Sequence, residues 1–150
     1  MTQSAKLACL DDRALIRVAG QDWRSFLQGL ITQDVETIAA GEVRYGAMLT
    51  PQGKLLYDMF LWADEDGVTL DVATDTRDAM IKRLSMYRLR AKATVEPLDG
   101  GVFVLWSATA APGGWVADPR EAGLGWRAIG SADADPGRML DLILDGLRRR

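Results

Sequence analysis

Histidine is absent from this sequence, and cysteine occurs once, as Cys9. Without histidine there is no Ser-His or Cys-His nucleophile pair and no imidazole metal ligand. A lone cysteine forms neither an internal disulfide nor a multi-thiolate site, so no bound metal is expected and a reducing compartment suits the chain. Excess positive charge is missing too: 18 Lys and Arg against 21 Asp and Glu leave a net charge of −3. Direct nucleic-acid binding, which needs a concentrated basic surface, is therefore not expected. No apolar run is long enough to span a bilayer, so no membrane partner is expected either. The first residues, MTQSAKLACLDDR, lack both the apolar core of a secretory signal and the arginine-rich, acid-poor character of a mitochondrial presequence, which leaves a cytoplasmic location as the expectation. A length of 150 residues suits one domain with a real core.

What is present is most concentrated between Arg44 and Trp62, RYGAMLTPQGKLLYDMFLW. Pro51-Gln52-Gly53 is turn chemistry, because proline pre-sets the first corner and glycine tolerates the left-handed position that closes a short loop. With strand formers on both sides, the pattern predicts a β-hairpin. Counting outward from Thr50 and Lys54 puts Met48 opposite Leu56, Gly46 opposite Asp58 and Arg44 opposite Phe60 on one face. Tyr45, Ala47, Leu49, Tyr57, Met59 and Leu61 then form the apolar core side. Asp58 lies between Leu56, Phe60 and Trp62 beneath a glycine, which predicts a cleft above it. A solvated aspartate paired diagonally with Arg44 is the plainer alternative.

Residues 6–10 and 14–18 read as short strands. Asp22 is placed to cap a helix whose Trp23, Phe26, Leu27, Leu30 and Ile31 recur at three- and four-residue steps, each burial worth ~1.5–3 kcal/mol. Asp34 is placed to cap a short helical turn before Gly41. Asp66-Gly67 turns the chain into a third strand, 68–73, adjacent to the hairpin. A helix over 77–89 carries Met80, Ile81, Leu84 and Tyr87 inside and Lys82, Arg83 and Arg88 outside, with Arg90 and Lys92 just beyond. Strands 91–98 and 102–106, joined at Asp99-Gly100-Gly101, read as a second hairpin extending the sheet. Residues 124–129 return as a strand, and Asp135-Pro136 starts a last helix with Leu140, Ile143, Leu144 and Leu147 as its stripe. Antiparallel hairpins interrupted by amphipathic helices give an α+β class: an antiparallel sheet covered by helices.

The run Phe26-Leu27-Gln28-Gly29-Leu30-Ile31-Thr32-Gln33-Asp34-Val35, the hairpin run from Tyr45 to Lys54, and Tyr87-Arg88-Leu89-Arg90-Ala91-Lys92 resemble the YgfZ family of folate-binding proteins. Asp118-Pro119-Arg120 and Gly125-Trp126-Arg127 extend the resemblance in the same order. These are relatives of the glycine-cleavage T-protein, an aminomethyltransferase. The resemblance implies the front domain of the folate-binding fold, tetrahydrofolate as ligand, and a role in iron–sulfur cluster assembly or repair and in maturation of tRNA-modifying enzymes, with iron–sulfur assembly proteins as partners. The Lys-Gly-Cys-Tyr-x-Gly-Gln-Glu signature of that family's second half is absent. Residues 1–150 are therefore expected to be a single folate-binding-like domain, the N-terminal part of a longer protein.

Hairpin register and the basic helix end single out the candidate residues, and the resemblance supplies their ligand. Around the hairpin, Arg44, Gly46, Asp58 and Phe60 are candidates for folate binding. Arg88, Arg90 and Lys92 are candidates for holding the glutamate tail, since guanidinium groups offer paired planar donors to carboxylates. T-proteins carry Gly-Gly-Ile-x-Asp-Asp in the matching hairpin. Here Gly53-Lys54-Leu55-Leu56-Tyr57-Asp58 keeps the second acid and replaces the first with Tyr57, so Asp58 is the one catalytic candidate. Aminomethyltransferase activity is the first alternative, and a non-catalytic docking domain is the second. The chain alone is expected to lack activity and to bind folate weakly, with Cys9 packed as an inert thiol. A second copy covering the Asp58 face, giving a homodimer, is a further expectation.

Overall fold

The strand-forming runs pair antiparallel throughout. A computed structural model describes residues 6–106, 115–121 and 123–130. In chain order, the regular elements among the described residues are β1 (Lys6–Cys9), β2 (Arg13–Ala19), α1 (Trp23–Gln28), β3 (Val43–Leu49), β4 (Leu55–Ala63), β5 (Gly67–Ala73), α2 (Arg77–Met86), β6 (Thr94–Leu98), β7 (Gly101–Trp106), β8 (Val116–Ala117) and β9 (Trp126–Gly130). They divide into two compact units, one formed by Asp12–Leu98 and the other by the described residues within Met1–Asp11 and Asp99–Arg150.

The unit Asp12–Leu98 holds a five-stranded sheet in the order β3-β4-β5-β2-β6. Alternation along the strands sends Ile16, Leu70 and Leu61 in one row, and Val18, Val68 and Ala63 in the next, to a single face. There they pack with Trp23, Phe26 and Leu27 of α1 and Met80 and Leu84 of α2 in one continuous apolar core. That is the sheet covered by helices which the patterning predicts. The other unit holds a four-stranded sheet in the order β1-β7-β9-β8.

Several elements differ from their sequence reading. Asp99-Gly100-Gly101 does not close a hairpin: β6 pairs with β2, whereas β7 pairs with β1 and β9, so the turn chemistry marks a crossing between units. The carboxylate of Asp22 accepts from the backbone N–H of Lys92 at 2.8 Å and makes no side-chain cap on α1. Asp34 does cap, accepting from Glu36 N–H at 3.2 Å, but the helix it starts is a single 3-10 turn, Val35–Thr37. α2 stops at Met86, and Leu89 adopts a positive φ of 30°, so Tyr87 lies half exposed outside the helix. Cys9 is exposed at the end of β1, not packed. The helix expected after Asp135-Pro136, with its stripe from Leu140 to Leu147, lies outside the described residues.

The hairpin forms where expected, with Thr50 N–H donating to Lys54 at 2.7 Å and Leu49 opposite Leu55. Its register then slips: Met48 pairs with Tyr57, leaving Leu56 as an extra residue on β4. The bulge lets Leu56 and Tyr57 both pack against the helix-covered core. One inserted residue reverses the face of every later β3 position relative to β4. Gly46 therefore lies opposite Met59 and Arg44 opposite Leu61, while Asp58 faces Ala47 and Phe60 faces Tyr45.

Candidate functional site

The face of the five-stranded sheet turned away from α1 and α2 carries an aligned row, Leu15-Asp71-Phe60-Tyr45. Asp71 is fully buried. Arg13 meets it twice, from Nε to Oδ1 at 2.7 Å and from Nη2 to the backbone carbonyl at 2.7 Å. The same guanidinium lies 5.8 Å from the centroid of Phe60, whose ring is tilted against Tyr45 with centroids 5.0 Å apart. The Tyr45 hydroxyl donates in turn to Asp58 Oδ2. Asp58 thus ends a chain of polar and aromatic contacts that begins at Arg13. Beside it, Trp62 keeps a buried indole N–H with no hydrogen-bond partner among the described residues.

The predicted residues do not converge. Arg44, expected beside Asp58, is on the opposite face and closes the link between α1 and β3. Its Nη1 donates to the Asp34 carbonyl at 2.8 Å and to Thr37 Oγ1 at 2.9 Å, and its Nη2 to Glu42 Oε1 at 2.9 Å. The backbone N–H of Ala39, with Arg44, holds the Glu42 carboxyl below the usual carboxylate range. Gly46 clears no space over Asp58. It is buried where a Cβ would come within 2.9 Å of Gln33 Cγ, so the glycine admits the Gln33 side chain, which donates to the Tyr45 carbonyl at 2.8 Å. Phe60 is buried. Arg88, Arg90 and Lys92 are exposed together where the chain leaves α2.

Sequence reasoning missed Arg13, Tyr45 and Asp71. One signal was available: Asp71 interrupts the apolar strand Gly67–Ala73, and a buried carboxylate demands a cation. Also missed is a cavity of about 400 Å³ between the segment after α1, the hairpin loop and α2, lined among others by Leu30, Ile31, Met48, Pro51, Arg83 and Tyr87.

Tetrahydrofolate is a demanding ligand, since a pterin edge needs free acceptors and donors beside an open aromatic or apolar platform. One Asp58 oxygen already accepts from Tyr45, Phe60 is covered, and Arg44 is committed to Glu42 and its neighbours. The residues expected to hold folate do not form one site for it.

No family model matches the chain. It is similar to iron–sulfur cluster assembly factors. The human mitochondrial iron–sulfur cluster assembly factor IBA57 is 33% identical over 94% of this chain, and the IBA57 homolog of Pyricularia oryzae is 30% identical over 93%. The chain spans 49% and 39% of these proteins' lengths. Both relatives are named as mitochondrial, which overturns the cytoplasmic expectation: a leading segment without presequence character was a poor guide to location. Among solved structures, glycine cleavage system aminomethyltransferase T from Bartonella henselae matches with a TM-score of 0.63 over 67% of this chain and 28% of that one, at 22% identity. The α+β, T-protein-like fold implied by the resemblance is therefore the fold of this chain. Among the described residues no helix is long and apolar enough to cross a membrane.

Proposed function

We propose that this chain serves iron–sulfur cluster assembly as a non-catalytic protein built on the aminomethyltransferase fold. The supporting observation is the 33% identity to human IBA57, sustained over 94% of the chain. Clusters are its cargo, and assembly proteins are its partners. Maturation of tRNA-modifying enzymes follows as a downstream effect where those enzymes carry clusters. A chimera tests the reading: this chain replaces the matching half of the human relative in cells lacking that factor. Restored cluster content of resident iron–sulfur enzymes is expected, and a folded chimera that restores nothing sinks the idea.

Aminomethyl transfer is not favoured. Tyr57 stands where T-proteins carry their first acid, and it packs against the core, while Asp58 accepts from Tyr45. Tetrahydrofolate remains the ligand that the fold implies, and we propose that the chain alone holds it weakly, because the candidate residues are divided between two sheet faces and the exit of α2. Calorimetry with tetrahydrofolate is expected to give weak or no heat. Tight one-to-one binding, or lipoate-dependent turnover, would overturn this.

A further inference from the structure

The cavity beside the hairpin loop opens onto a surface of unusual composition. Seven large hydrophobic side chains are exposed among the described residues, and five of them are on the hairpin tip or the end of α2: Leu49, Leu55 (64% exposed), Met86 (67%), Tyr87 and Leu89 (91%). Single exposed hydrophobics scatter over any surface, whereas clustered ones mark interaction sites. Leu89 combines near-complete exposure with a positive φ of 30°, a backbone state that a branched side chain rarely adopts.

Charge is equally uneven. From Ala79 to Lys92 the chain carries Lys82, Arg83, Arg88, Arg90 and Lys92 with no acid, and Lys54 adds a sixth cation at the hairpin loop. Arg13, Arg17, Arg44 and Arg120 are each bridged to a carboxylate, but none of these six side chains has a hydrogen bond or ion pair with another of the described residues. A chain with net charge −3 has acids to spare, yet this stretch contains none, and Asp22, which lies beside it, accepts from the Lys92 backbone N–H.

We propose that this surface docks an acidic segment of a partner protein, with one bulky apolar side chain entering the cavity and flanking carboxylates meeting the six cations. A second copy of this chain fits poorly, because a self-complementary interface would set cation against cation. Single-stranded nucleic acid fits poorly as well, since the rim is mostly aliphatic and, among the described residues, offers only Tyr87 for base stacking. A small molecule filling the cavity would leave Leu55 and Leu89 bare.

Fluorescence anisotropy on the full chain tests this. The probe is a short labelled peptide with Leu and Phe in one helical stripe and Glu on both flanks; a scrambled peptide of the same composition and an oligouridine RNA are the comparisons. The striped peptide is expected to bind at least about tenfold tighter than the scrambled one. Leu55→Ser with Met86→Ser is expected to weaken it about tenfold or more, and so is Arg83→Gln with Arg90→Gln, which also flattens the salt dependence. Unchanged melting curves establish that both pairs of variants fold, and Leu89→Ser serves if either does not. Absence of saturable binding, equal binding of the scrambled peptide, tighter binding of RNA, or a dimer in sedimentation that Leu55→Ser abolishes would each overturn the proposal.

Discussion

Tyr45 and Asp58 show what a single bond does to a chemical reading. A half-buried carboxylate among aromatic residues reads as a ligand group, yet the phenol beside it uses one of its oxygens. Tyr45→Phe is expected to cost about 0.5–1.5 kcal/mol in urea denaturation, and Asp58→Asn made in the Tyr45→Phe background should cost less than it does alone. Additive costs would mean the bond contributes nothing. Gly46 gives a second test. An added Cβ meets Gln33 Cγ at 2.9 Å and must push that side chain from the Tyr45 carbonyl, so Gly46→Ala should destabilise by about 1–3 kcal/mol. That Asp58 was unusual could be read from its neighbours. Its partner could not, because the partner's face depends on a bulge one turn away, and an extra residue in a strand leaves no mark on an alternating pattern.

Elements whose cause is local were legible, and those fixed by distant pairing were not. The Pro51-Gln52-Gly53 loop, the third strand and the inner stripe of α2 follow from turn chemistry and periodicity. Leu84→Ala should therefore cost about 2–5 kcal/mol in denaturant unfolding, while Met86→Ser, on the exposed side, should stay within about 0.5 kcal/mol. Asp99-Gly100-Gly101 has good turn residues, but no local feature says which strands they serve. The Asp118-Pro119-Arg120 run was read for resemblance alone and Gly125-Trp126-Arg127 also as part of a strand, and the structure ties the two together. Arg120 donates to Asp118 from its backbone N–H, from Nε and from Nη2, and the Asp118 N–H donates to the Gly125 carbonyl at 3.0 Å. Gly125 has a φ of +92°, and a Cβ there would approach the Leu105 carbonyl oxygen to 2.3 Å. Gly125→Ala should cost more than about 1–2 kcal/mol, read as earlier loss of hydrogen-exchange protection in β7 and β9.

For the whole molecule, acid is the informative variable. Burial pushes the Asp118 carboxyl up, and Arg120 more than reverses this; the hydrogen bond from Arg17 lowers Asp64, and Glu42 is lowered as well. Each group binds its proton more readily in the unfolded chain. Their stabilisation is thus complete above the ordinary carboxylate range, near pH 4, and is lost as pH falls through the depressed folded-state values. Urea midpoints should be flat from neutral pH to about pH 5 and fall below that, with a shallower fall in Asp118→Asn. A midpoint that rose on acidification would contradict the pairing. Chain connectivity carries a consequence of another kind. The segment from Asp12 to Leu98 is contiguous, and Leu15 lies opposite Leu98, so its ends are neighbours once it folds. In the other sheet Lys6 pairs with Trp106 across that entire segment. Closing a loop of this length in an unfolded chain costs roughly 4 kcal/mol of entropy, and prior folding of the inner segment removes most of it. Pulse-labelled exchange should show β2 and β6 protected before β7 and β9, and simultaneous protection would reject that order. During synthesis the same connectivity brings β1 out of the ribosome ahead of β2 to β6 and well before its partner, so the edge it offers to β7 stays unpaired until β7 has emerged.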